Sequence, residues 1–214
     1  MRKVEVRKMK PDDKESIRQI CCETGFGGKH IGAVFSDEVM FADMVTLYYT
    51  DYEPQSAFVA GFEGETVGYL TGCLDTRSYN HVMKSKIVPR ILLNIIRRQY
   101  CLNKKNRRYL KEVISHLLKG KIDLPLENYP AHLHINIRDG FRGYGIGREL
   151  ISRYLIYLSD NNIKGVHLVT TSLHQDSLSF YEKLGFEIYA RSETYSLGNR
   201  EIYDLIYVRS VNGQ

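Results

Sequence analysis

No stretch of the sequence approaches the roughly 18 consecutive apolar residues of a membrane-spanning helix. The opening run Met1-Arg2-Lys3-Val4-Glu5-Val6 lacks the apolar core of a signal peptide, so a cytoplasmic location is expected. The four cysteines, Cys21, Cys22, Cys73 and Cys101, form no C-x-x-C pair, and no histidine spacing marks a zinc site. Free structural thiols and no metal are expected. Internal repeats and low-complexity segments are absent as well. Acidic residues are nearly missing from one segment: residues 81–122 hold twelve Lys/Arg and only Glu112. That segment carries +11 where the whole chain carries +5, which leaves −6 for the rest.

What is present fits one soluble domain. The 214 residues are 43% hydrophobic and 26% charged, enough to bury a core without disulfides. Val4 to Arg7 alternates like a strand, and Pro11-Asp12-Asp13 opens a helix that Gly25, Gly27 and Gly28 end. A second helix is expected over 36–49 with Ser36 as its cap. Residues 56–62 and 66–75 read as a hairpin about Glu63-Gly64-Glu65. Residues 81–93 and 97–118 read as a basic helical pair, inserted within 76–130. Residues 131–137 alternate, with Leu133, Ile135 and Ile137 on one face and His132, His134 and Asn136 on the other. A glycine-rich turn, a helix over 145–160, a strand over 166–170 and a short helix over 177–184 follow. Residues 186–195 and 201–208 read as a closing hairpin about Gly198-Asn199. Strand–helix alternation after residue 131 predicts a mixed sheet with parallel neighbours.

The chemistry concentrates in Arg142-Gly143-Tyr144-Gly145-Ile146-Gly147, between a strong strand and a strong helix. Glycine there lets backbone approach a ligand closely, and the free amides of a helix start suit a pyrophosphate. A P-loop would need Gly-Lys-[Ser/Thr], and a Rossmann fingerprint a different glycine spacing and a ribose-binding acid. A purely structural turn stays open on these residues alone.

The R-x-x-G-x-G pattern of Arg142, Gly145 and Gly147 resembles the acetyl-CoA loop of GNAT acyltransferases. Some 35 residues later, Ser179-Phe180-Tyr181-Glu182-Lys183-Leu184-Gly185-Phe186 is similar to the family's second signature. Pro130 to Ile135, Gly165 to Leu168, and Gly68-Tyr69-Leu70 with Asp75 are similar to the GNAT-like branch also found fused to bacterial O-GlcNAc hydrolases. The resemblance covers residues 3–75 and 131–208. It implies an α/β (α+β) GNAT fold: a mixed twisted sheet of six to seven strands flanked by helices, in one domain over 1–214, with the basic insertion between strands three and four.

The resemblance also implies N-acetyl transfer from acetyl-CoA to a primary amine by direct attack, the acceptor being a small amine or amino sugar. Strand four is expected to splay from strand five. Ile135, Asn136 and Ile137 would meet the pantetheine arm, and Arg142, Gly143, Tyr144, Gly145, Ile146 and Gly147 the pyrophosphate. His174 stands where the family commonly has Asn, and with Ser177 completes the cofactor set. Tyr181 occupies the general-acid position, while His134 and His132, then Asp75, are the candidate bases. The alternative is a GNAT-like acyl-CoA-binding or interaction module without catalysis. A homodimer stays open. So does contact of 81–122 with nucleic acid or a membrane surface, against a helical pair that packs inward and turns its cations to water.

Overall fold

The computed structural model describes residues 4–119, 122–173 and 175–211. In chain order the elements are β1 (Glu5–Lys8), α1 (Lys14–Thr24), α2 (Glu38–Asp51), β2 (Ala57–Phe62), β3 (Glu65–Cys73), α3 (Thr76–Val82), α4 (Val88–Ile96), α5 (Lys104–Lys119), β4 (Ala131–Ile137), α6 (Ile146–Asp160), β5 (Gly165–Thr171), α7 (Gln175–Glu182), β6 (Glu187–Arg191), β7 (Tyr195–Leu197), β8 (Arg200–Ile202) and β9 (Asp204–Ser210). Seven strands form one sheet in the order β1-β2-β3-β4-β5-β9-β6. Only β4 and β5 run parallel; the other neighbours are antiparallel. This is the mixed, helix-flanked sheet of the GNAT fold. No helix among the described residues is long and apolar enough to cross a membrane.

The period-2 alternation of β4 splits the core in two. Ala131 and Leu133 pack with Leu150, Ile151, Tyr154 and Leu158 of α6. The opposite face of the sheet meets α1 and α2 through Tyr69, Cys73, Ile17, Ile20 and Tyr49. The insertion joins this second core: Ile87, Ile91, Tyr100 and Tyr109 are buried in it.

One contact fixes the base of β3 and β4. The Tyr154 hydroxyl lies 2.9 Å from both the Cys73 and the His132 carbonyl oxygens. Gly72 leaves room for it, since a Cβ there would sit 2.3 Å from the Tyr154 ring and hydroxyl. Gly72→Ala is expected to cost about 1–3 kcal/mol through overpacking. A denaturant melt checks this, and an unchanged midpoint would contradict it.

Four local expectations need correction. Ser36 does not cap α2, because its amide and hydroxyl are tied to the Asn106 side chain. Asp37 does so instead, accepting from the Met40 amide at 2.8 Å. The helix expected over 81–93 is α3, a π-helical turn at Met83–Ile87 and then α4, one unbroken helical run in which Pro89, which has no N–H to donate, follows directly on the wider π turn. Helix does not begin at Arg97, since Arg98 takes a positive φ of 56° and α5 starts only at Lys104. The closing hairpin is two structures: β6 pairs with β9, while β7 and β8 form a separate ribbon about Gly198-Asn199. The insertion draws that ribbon away. The Gly198 amide donates to Glu112 at 2.8 Å, and Tyr195 stacks on His116 with ring centroids 3.6 Å apart.

Candidate active site

The pairing of β4 with β5 is confined to Ala131–Val166 and His132–His167; beyond them the two parallel strands separate. The register decides which groups face the gap. Arg138 N–H donates to Val67 O at 2.9 Å, so the even-numbered residues of β4 turn their amides and carbonyls to β3. Ile135 and Ile137 therefore direct theirs into the gap. Asn136 does not: its backbone faces Tyr69, and its side-chain amide donates to the Tyr69 hydroxyl at 2.7 Å. A backbone role at Asn136 is thus corrected by strand parity. The Ile137 carbonyl is occupied by Arg142 Nε at 3.2 Å.

At the end of the gap the chain turns through residues 138–145 into α6. Gly140, Gly143 and Gly145 all take positive φ, +84°, +85° and +80°. This is the conformation that glycine adopts without a Cβ penalty. A Cβ at any of the three would meet nothing within 4 Å, so this side of the loop is open. Among the described residues, the amides of 142–148 have no hydrogen-bond acceptor; the ladder of α6 begins with Glu149 N–H donating to Gly145 O at 3.1 Å. A run of unpaired amides at the positive end of a 15-residue helix is an anion cradle. Arg142 braces it by donating to Gly28 O at 3.1 Å. Gly147 has a different reason for being glycine: a Cβ there would lie 2.8 Å from the Phe180 ring, which packs against the start of α6. Tyr144 is exposed and Ile146 is buried in the α6 core.

The proposed acid–base residues differ sharply in their surroundings. His132 is saturated. The Thr76 hydroxyl donates to Pro130 O at 2.8 Å, so its oxygen is left to accept from His132 Nδ1–H at 2.8 Å. Nε2 then accepts from the Tyr49 hydroxyl at 2.7 Å. Cys73 Sγ lies 3.0 Å from Nδ1, but burial pushes its thiol up, so it is no thiolate. This histidine is a buried, neutral core group. Asp75 caps α3, accepting from the amides of Arg77 at 3.0 Å and Ser78 at 3.4 Å, and from the Ser78 hydroxyl at 2.9 Å. Its carboxylate is engaged away from the gap.

Of the three candidate bases, His134 alone is free among the described residues. It is partly exposed, has no hydrogen-bond partner among the described residues, and touches the Tyr49 ring edge-on at 5.6 Å. Burial, and then the nearby His167, lower its pKa to about 4, so it is neutral at pH 7. Tyr181 on α7 packs among Phe180, Phe186 and Tyr207, with ring centroids 5.3, 6.0 and 5.6 Å away. Burial raises its pKa, which keeps the phenol protonated. Its hydroxyl has no partner among the described residues. Neither has the wholly buried hydroxyl of Tyr207 beside it. Nothing in the sequence distinguishes Tyr207 from the other tyrosines. His174 lies outside the described residues; Ser177 falls within α7, and its side chain is not described. Among the described residues no group of three or more His, Cys, Asp or Glu could hold a metal ion.

The histidines make stability depend on pH. Burial lowers the pKa of His132, His134 and His167 below the ordinary 6.5. Between that value and about 4, the His134 level, the unfolded chain binds more protons than the folded one. Their contribution is therefore complete above pH 6.5 and is lost as the pH falls toward 4. Denaturant midpoints are expected to be lower at about pH 5 than at about pH 7.5; equal midpoints would contradict the burial of these rings.

Comparison with known proteins agrees with this geometry. Residues 110–188 match the acetyltransferase (GNAT) domain model. The crystal structure of SsHAT is 27% identical, with 98% of this chain and 99% of that one covered at a TM-score of 0.75. YncA of Salmonella typhimurium, a putative acetyltransferase solved with acetyl-CoA, is 12% identical and shares the fold at a TM-score of 0.61, covering 99% and 95% of the two chains. A GNAT superfamily phosphinothricin acetyltransferase from Sinorhizobium meliloti, solved in complex with acetyl-CoA, is 15% identical, with coverage of 97% and 88% and a TM-score of 0.60. Over residues 110–188 the chain matches the GNAT acetyltransferase domain, and its fold is that of the GNAT structures it resembles.

Proposed function

We propose that the protein is an acetyl-CoA-dependent N-acetyltransferase, acting on the primary amine of a small amine or amino sugar. One observation carries the reading: the amides of 142–148 make no hydrogen bond among the described residues, and the loop is open beside Gly140, Gly143 and Gly145 at the mouth of the β4–β5 gap. A diphosphate fits this cradle because it supplies acceptors to donors that have none, next to a helix start. The Ile135 and Ile137 amides, aimed into the gap, would hold the pantetheine arm and polarise the thioester carbonyl. Acetyl-CoA supplies that thioester.

In this reading His134 accepts the proton that the amine loses on attack, being neutral and unpaired. Its low pKa makes it a weak base that needs no prior deprotonation at pH 7. Tyr181 Oη gives its proton to the departing thiolate. The C–N bond forms as the C–S bond breaks, and no acyl-enzyme is needed.

The binding-module alternative is favoured by one observation: of the four acid–base candidates, His132 and Asp75 are already engaged. Calorimetric titration with acetyl-CoA, followed by a thiol-release screen over amines, separates the readings. Micromolar binding with release on an amine supports the enzyme. Binding without release on any acceptor supports the module, and no binding removes both.

A further inference from the structure

Between Asp75 and Glu112 the chain carries eleven Lys/Arg and no acidic residue. Helix α4 lies in the middle of this stretch, and its surface is inverted relative to a solvated helix. Its inner edge is Ile91, with Asn94 and Ile95 partly covered. Its outer arc consists of Val88 (43% exposed), Pro89, Leu92 (53%), Leu93 (42%) and Ile96 (76%). At 3.6 residues per turn these five positions occupy about 140° of the circumference. Arg90 and Arg97 continue the arc on one flank, Lys84 and Lys86 precede it, and Arg98 follows. All five cations are exposed.

The arc is presented by a seated element. Ile87, Ile91 and Tyr100 on either side of it are buried in the α1–α2 core. The Tyr100 hydroxyl donates to Asp43 and accepts from the Asn94 side chain at 3.0 Å, which pins the helix from within. Contiguous aliphatic exposure on such a helix marks an interaction surface.

The chemistry narrows the partner. A second copy meeting this face about a two-fold axis would set one acid-free basic stretch against another, and repulsion opposes that. Nucleic acid would use the cations, but its phosphates offer nothing to four exposed aliphatic side chains. An anionic bilayer satisfies both: Leu, Ile and Val enter the acyl boundary while Lys and Arg meet the headgroups. We infer that α4 and its flanking basic residues form a membrane-docking face that seats the protein on anionic lipid, with the helix lying in the interface. This inference is independent of the acyl-transfer reading.

The test is co-sedimentation of the full chain with vesicles of phosphatidylcholine alone and with about a third phosphatidylserine. Binding is expected only to the anionic vesicles, weakening as salt rises. Leu92→Asp with Ile96→Asp is expected to reduce it about 10-fold or more, with an unchanged circular dichroism spectrum because both side chains are exposed. Arg97→Glu with Arg98→Glu should do the same. No binding at low salt, equal binding to neutral vesicles, or unaltered binding by both variants would overturn the inference. So would a shift from dimer to monomer in the Leu92/Ile96 variant, which would make this face a self-association surface. Stronger retention on duplex DNA than on anionic vesicles would assign the face to nucleic acid.

Discussion

Replacing Tyr181 by phenylalanine is expected to lower turnover by about 10- to 1000-fold, the range in which a positioned general acid operates or just below it. That corresponds to about 1.4–4 kcal/mol of transition-state stabilisation. The change removes one oxygen and leaves the ring among Phe180, Phe186 and Tyr207, so folding is preserved. Among the described residues the hydroxyl has no hydrogen-bond partner to lose, which makes the substitution clean. Affinity for acetyl-CoA should hold while kcat falls, because the proton is needed only as the thiolate departs. An unchanged kcat would remove Tyr181 from the chemistry and turn attention to Tyr207, whose buried hydroxyl also has no partner among the described residues.

Gly145→Glu is expected to abolish acetyl-CoA binding, weakening it by about 100-fold or more. Two effects add. Gly145 stands at φ +80°, where a side chain costs about 1–3 kcal/mol of strain. The new carboxylate also occupies the end of α6 that the diphosphate would use, and like charges repel there. A negative charge at a helix start favours the helix itself, so the fold should survive. Gly145→Ala separates the two effects, since it adds the strain without the charge and should bind better than the glutamate variant. Titration calorimetry measures both. Retained micromolar binding in Gly145→Glu would show that the loop holds no phosphate.

Much of this was legible in the sequence because its signals are local. The alternation of residues 131–137 marked β4 to the residue, and the glycines that follow marked the turn into α6. Other features depend on groups far apart in the chain. The partners that saturate His132 come from positions 49, 73 and 76, so no pattern around residue 132 separates it from His134 two positions on. Asp75 reads as a candidate base until α3 is seen to start behind it with Asp75 as its cap. The cap of α2 moved from Ser36 to Asp37 because Asn106, seventy residues away, holds the serine. Strand parity excluded the Asn136 backbone, and parity follows from the hydrogen bond of Arg138 to Val67, not from residue type. The basic insertion announced itself by charge; its exposed aliphatic arc did not, since an apolar helix period reads the same whether it faces inward or out.

The central claim is that the amides of 142–148, with those of Ile135 and Ile137, are where acetyl-CoA binds. An amide-resolved NMR titration of the full chain with acetyl-CoA tests it most directly. Saturable shifts concentrated at these residues are predicted, largest at Gly143 to Gly147. Saturable shifts elsewhere with these amides unmoved, or no shift at millimolar ligand, would contradict it.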